Sequence, residues 1–193
     1  LDICSYELAC AQGGQLPGFS AGAHIDVHLP GGLTRQYSLC NHPQERHRYV
    51  IGVLKDVASR GGSQSLHEQI NSGDRLFISE PRNLFPLMAE GRRSLLFAGG
   101  IGITPILCMA EHLAHNGADF ELHYCARSSD RAAFVERLKA ASFADHVHLH
   151  FDEEADSRLD AAKVLANPQP DVHLYVCGPS GFMQHVLDSA KAQ

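Results

Sequence analysis

One junction limits the fold more than any other: the apolar run Ser94-Leu95-Leu96-Phe97-Ala98, followed at once by Gly99-Gly100-Ile101-Gly102-Ile103-Thr104-Pro105. The run has the composition of a strand buried on both faces in a parallel sheet. Pro105 suits the first turn of a helix, whose apolar side then carries Ile106, Leu107, Met109, Ala110 and Leu113. Gly117 is placed to end it. The rhythm repeats as Glu121–Ala126 before a helix near 131–141, His146–Phe151 before a shorter one near 159–166, and His173–Cys177 before a last helix after Pro179. Strands alternating with helices define a doubly wound parallel α/β sheet over residues 91–193.

The first 90 residues have another texture. Ala23–Leu29 alternates apolar and polar and stops at Pro30-Gly31-Gly32. Arg35–Cys40 and Arg48–Leu54 follow, then a short helix over Ser65–Ile70, a Ser72-Gly73-Asp74 turn and Arg75–Ser79. Short strands at this spacing imply an antiparallel barrel or sandwich, with a domain boundary within Met88–Arg92.

Composition removes several classes. A net charge of −6 argues against nucleic acid as a partner, which demands a clustered basic face. No apolar run reaches the roughly 20 residues of a membrane span, and the first residues carry no signal-peptide pattern, so a cytoplasmic protein is expected. Six cysteines include no C-x-x-C pair and no iron–sulfur spacing, and are read as free thiols.

The glycine-rich junction lies where the carboxyl edge of a sheet meets a helix N-terminus. Backbone N–H groups and the helix dipole favour a phosphate there, although a plain tight turn has the same pattern. The third glycine of G-x-G-x-x-G is missing. Arg35-Gln36-Tyr37-Ser38 joins a phosphate clamp to an aromatic and a hydroxyl suited to a flavin ring, or is a strand with one exposed cation. Arg60-Gly61-Gly62-Ser63 is a second phosphate candidate. Cys177-Gly178-Pro179 follows the last strand, where a cysteine meets a nicotinamide or is a core thiol. His146, His148 and His150 alternate along one strand and are read as its edge, with no metal site expected.

As an ordered set, R-Q-Y-S-L-C-N at 35–41, R-G-G-S at 60–63, E-P-R-N-L-F-P-L at 80–87, G-G-I-G-I-T-P at 99–105, Y-C-A-R-S at 124–128 and Y-V-C-G-P at 175–179 resembles the ferredoxin–NADP reductase superfamily. Within it, the motifs resemble the phthalate dioxygenase reductase branch. The resemblance implies an antiparallel six-stranded-type flavin barrel over 1–90 and an NAD-binding α/β domain over 91–193. It implies FMN rather than FAD and NADH rather than NADPH. Arg35, Gln36, Tyr37 and Ser38 would contact FMN beside Gly52, Val53 and Leu54, with Gly61, Gly62 and Ser63 at its phosphate. Gly100, Gly102, Thr104, Cys177, Gly178 and Pro179 would line the nicotinamide site, with Thr104 near the flavin and Arg127 near the adenosine ribose, where no acidic partner is evident. Ser38, Thr104 and Cys177 are the implied catalytic residues.

The implied activity is that of the reductase component of a multicomponent aromatic-ring oxygenase or O-demethylase, a monomer passing electrons to a terminal oxygenase or ferredoxin. Members of the branch usually carry a further module with a 2Fe–2S cluster on four cysteines, and a last strand with an acid and an aromatic; neither is in this sequence. The first barrel strand is also expected to be missing before Leu1. The expectation is a trimmed chain whose iron–sulfur centre lies in a missing domain or another protein. Two other readings remain: a stand-alone flavin or ferric reductase, and a non-catalytic redox-sensing nucleotide-binding module.

Overall fold

A computed structural model of the chain describes residues 2–56, 61–88 and 93–193. They form two compact units, Leu1–Leu87 and Met88–Gln193.

In the first unit, strands β1 (Ile3–Ala9), β2 (His24–His28), β3 (Thr34–Ser38) and β4 (Arg48–Leu54) precede helix α1 (Gly62–Gln69) and the short β5 (Phe77–Ile78). β1 pairs antiparallel with β4, and β2 runs between β3 and β5, antiparallel to both. The period-two pattern of β2 buries Ile25 and Val27, which pack with Leu39, Tyr49, Ile51, Val53 and Leu66. Strand β1 has only a weak apolar alternation and was not expected from the sequence. Helix α1 starts at Gly62 rather than Ser65, because Gly61 adopts φ 85° as its N-cap.

The expected six-stranded barrel is not formed as one continuous ladder among the described residues. Five strands make a two-stranded and a three-stranded sheet, joined by an isolated Leu39–Ile51 bridge. The cause is local. Leu39 N–H still donates to Ala23 beside β2, but Cys40 N–H donates to Val50 on β4. Asn41 then replaces the ladder: its Oδ1 accepts from Val50 N–H at 2.8 Å and its Nδ2 donates to the Arg48 carbonyl at 3.1 Å. Asn41 is fully buried. Asn41→Ala is therefore expected to lower the unfolding free energy by about 2–3 kcal/mol, since it strands buried backbone groups; urea unfolding measures it.

The second unit alternates regularly: β6 (Arg93–Gly99), α2 (Ile103–His115), β7 (Phe120–Ala126), α3 (Val135–Lys139), β8 (Val147–Phe151), α4 (Ala161–Val164), β9 (Val172–Cys177) and α5 (Ser180–Lys191). All four strands are parallel in the order β8-β7-β6-β9. Every residue of α2 from Ile103 to Ala110 is buried, so this helix is core through its first two turns. It ends as expected: Gly117, at φ 63°, lets Ala118 N–H reach back to the Leu113 carbonyl. Helix α3 is shorter than expected because Ala132 is extended, Phe134 has φ 61°, and Ala133 N–H donates to the Tyr124 hydroxyl.

Candidate functional site

In the second unit the chain builds outward from β6 to β7 and β8, then returns to place β9 on the other side of β6. The crevice at the carboxyl ends of β6 and β9 is the switch point where open α/β sheets bind ligands. Both glycine motifs end there. Gly100–Gly102 forms a tight turn between β6 and α2, with Gly100 at φ 53°. A Cβ on Gly102 would strike the Cys177 carbonyl and lie 2.5 Å from its carbon and 2.7 Å from Gly178 N. A Cβ on Gly178 would lie 2.9 Å from Gly99 Cα, and the Phe182 ring covers both Gly99 and Gly178. The two turns thus touch backbone to backbone, at a distance only glycine permits.

Thr104 is buried, and its hydroxyl donates to the Ile101 carbonyl at 3.1 Å. Pro179 is exposed at the N-cap of α5. Cys177 is half-buried, and burial pushes its thiol pKa up. At neutral pH it is a neutral thiol and a slow nucleophile. Alkylation by iodoacetamide, followed by peptide mass spectrometry, should label exposed Cys4 at least about tenfold faster than Cys177.

Arg127 is exposed just beyond β7. Three residues on, the Ser128 hydroxyl donates to the Asp130 carboxylate at 2.5 Å and holds it below the usual carboxylate range.

In the first unit Arg35 and Gly62 meet. A Cβ on Gly62 would lie 2.5 Å from Arg35 Nε and 2.6 Å from its Cγ, so the arginine lies against the start of α1. Gly61 offers no side-chain cap to the first turn of that helix. A guanidinium beside a helix N-terminus is chemistry for a phosphate. Arg35 Nη1 also donates to the Thr34 carbonyl, and Ser63 Oγ accepts from Asp56 N–H. Arg60 lies outside the described residues.

Alternation on β3 puts Arg35 and Tyr37 on one face and Gln36 and Ser38 on the other. Burial raises the Tyr37 pKa, against a smaller lowering by Arg35. Ser38 is opposite His24 on β2, whose Nε2 is buried without a partner among the described residues. On β4, Gly52 and Val53 are buried and Leu54 is exposed. The Val53 side chain belongs to the core and its carbonyl meets His67 Nε2 at 2.9 Å. The Glu80–Leu87 motif is structural in part, with Arg82 paired to Asp26 and Asn83 donating to the Ala21 carbonyl. No helix of the described residues is long and apolar enough to cross a membrane.

Comparison with known proteins agrees with this layout. Residues 96–188 match the oxidoreductase NAD-binding domain family. The chain is 75% identical over 192 residues to vanillate O-demethylase oxidoreductase of Pseudomonas putida, covering 100% of this chain and 60% of that protein. It is 46% identical over 189 residues to the phthalate 4,5-dioxygenase oxygenase reductase subunit of Pseudomonas putida, covering 96% of this chain and 58% of that protein. It also superposes on phthalate dioxygenase reductase, described as a modular structure for electron transfer from pyridine nucleotides to 2Fe–2S. That match has a TM-score of 0.94 at 42% identity, over 98% of this chain and 60% of that one. The chain thus spans about three fifths of the length of these relatives. With both glycine turns set as above and a likeness running through both units, the chain belongs to the ferredoxin–NADP reductase superfamily, in the phthalate dioxygenase reductase branch.

Proposed function

We propose that the chain is an NADH-dependent flavin oxidoreductase, the electron-input part of the reductase component of a multicomponent aromatic-ring oxygenase or O-demethylase. Residues 1–90 act as the FMN domain, as a flavin barrel, and residues 91–193 as the NAD domain. When bound, FMN would supply the chemistry that accepts a hydride from NADH and releases electrons singly to an iron–sulfur centre on a further domain, a ferredoxin or the terminal oxygenase. The protein acts in the cytoplasm as a monomer.

The chain's own residues bind and orient. Arg35 and the first-turn amides of α1, with Gly61, Gly62 and Ser63, hold the FMN phosphate. Gln36 and Tyr37 line the ring, Ser38 hydrogen-bonds near its reactive nitrogen, and the backbone of Gly52, Val53 and Leu54 lies alongside. Gly100, Gly102, Thr104, Gly178 and Pro179 shape the nicotinamide nucleotide site, and Cys177 positions the nicotinamide as a neutral thiol. Arg127 meets the adenosine end. Asp130 favours a free ribose hydroxyl and repels a 2′-phosphate, which is the basis for NADH over NADPH.

The observation that carries this reading is the 75% identity to a vanillate O-demethylase oxidoreductase, which runs through both units. Both turns suited to phosphate therefore stand on one chain of that kind. The test is anaerobic addition of NADH to the chain loaded with FMN. Stoichiometric bleaching of the flavin absorbance is expected, and at least about tenfold slower bleaching with NADPH. Flavin binding without any bleaching would reduce the reading to a nucleotide-binding module.

A further inference from the structure

One face of the parallel sheet carries titratable groups that flavin reduction does not use. His123 on β7 stands in register between Phe97 on β6 and His148 on β8. Its ring stacks on both, with centroids 5.0 Å from Phe97 and 4.8 Å from His148. Glu121, two residues earlier on β7, and His150, two residues after His148, share that face. His146, which the sequence grouped with them, instead turns its Nδ1 to the Phe120 carbonyl. The sequence pattern hid the partner strand: His123 and Glu121 come from β7.

Hydrogen bonds settle which nitrogens carry protons. His150 Nδ1 lies 2.8 Å from the Ser157 carbonyl, which only accepts, so His150 Nδ1 is the donor. In the neutral ring His150 Nε2 is then an acceptor. It lies 3.1 Å from His123 Nδ1, which must donate to it. His123 Nε2 is left as a bare lone pair. Among the described residues it is buried without a hydrogen-bond partner, in a residue only 4% exposed, and the Glu121 carboxylate faces it at 3.5 Å.

A lone pair facing a carboxylate is repulsive unless a positive charge stands between them. A metal ion satisfies both groups. Imidazole ligands commonly donate their other N–H to an acceptor that fixes the tautomer, and the His150–Ser157 relay does this for His123. Glu121 is also oriented: Arg93 Nη2 holds Oε1 at 2.5 Å, which leaves Oε2 toward His123. The Arg93 charge opposes a cation, and Asp119, 3.6 Å from Arg93 Nε, partly offsets it.

We propose that Glu121, His123 and His148 bind a divalent cation of the zinc class, with the His150–Ser157 relay as positioning groups. Bonds near 2.1 Å in a tetrahedral site separate ligand atoms by about 3.4 Å, close to the 3.5 Å between His123 Nε2 and Glu121 Oε2. The ligand atoms of all three residues lie within 4.8 Å of one another. His148 must turn out of its stack to aim a lone pair at the same ion, and its exposure allows that. The fourth position faces water. The site lies along β7 before Cys125, so the ion braces β7 to β8 and takes no part in hydride transfer.

The experiment titrates the full chain with Co2+ and then with Zn2+ against a chromophoric chelator. The expected result is one equivalent bound, with a tetrahedral nitrogen–oxygen cobalt spectrum and no thiolate charge-transfer band. Zn2+ should raise the thermal midpoint of the parent chain. His148→Ala and Glu121→Gln should each weaken Zn2+ binding at least about tenfold and abolish that rise. Because His148 is exposed, its variant keeps the metal-free midpoint. Absence of binding, a thiolate band, or undiminished affinity in either variant would overturn the proposal.

Discussion

Gly102→Val should slow NADH-driven bleaching of bound FMN by at least about a hundredfold, while FMN binding in the first unit persists. The atoms facing a Cβ at this position are the Cys177 carbonyl group and Gly178 N. Backbone cannot rotate aside as a side-chain tip can, so the turn after β6 must part from the turn after β9. Forcing volume into such a contact costs about 1–3 kcal/mol of stability. Misplacing a bound reactant by about 1 Å can cost a hundredfold in rate. Gly100→Ala is the comparison: nothing lies within 4 Å of its Cβ, and only φ 53° opposes the change. That strain is about 1–2 kcal/mol and leaves the two turns together. Anaerobic stopped-flow reduction and thermal unfolding of both variants measure the contrast. Reduction at the parent rate in Gly102→Val would remove this crevice as the nicotinamide site.

Gly62→Ala should behave in the opposite way, with binding lost and stability kept. Its Cβ would meet Arg35 at Nε, Cγ and Cδ, within 2.5–3.0 Å. Arg35 is half-buried and can swing away, so the fold survives. Alanine is also the better helix former, by up to about 1 kcal/mol. The displaced guanidinium no longer sits over the first turn of α1. A charge-assisted hydrogen bond to phosphate contributes about 1.5–3 kcal/mol, so FMN affinity should fall about 10- to 100-fold. Arg35→Ala should reproduce that loss in a fluorescence titration with FMN. Equal affinity in both variants and the parent would place the phosphate elsewhere.

These two glycines also mark how far a sequence speaks. The second unit was legible because its information is local. Buried parallel strands are apolar runs, and Pro105 and Gly117 punctuate α2 where they were expected to. The first unit was less so. Its strands were found where alternation is clean, as at Ile25 and Val27, and β1 was not. Asn41 mimics a strand by side-chain hydrogen bonds, which no periodicity records. The same limit applies to the candidate sites. The order of the motifs pointed to these turns as candidates, but the approach of Arg35 to Gly62 joins residues far apart in the chain. The pairing of His123 with His148 depends on strand register, which is set by the whole sheet.

The ring of Phe182 adds a historical constraint. It covers Gly99 and Gly178, whereas only main chain stands opposite Gly102. A smaller residue at 182 would open room for alanine at 99, so those two positions can drift as a compensated pair across descendants of this scaffold. Position 102 has no such rescuer, and a lineage that loses its glycine must rebuild both loops at once.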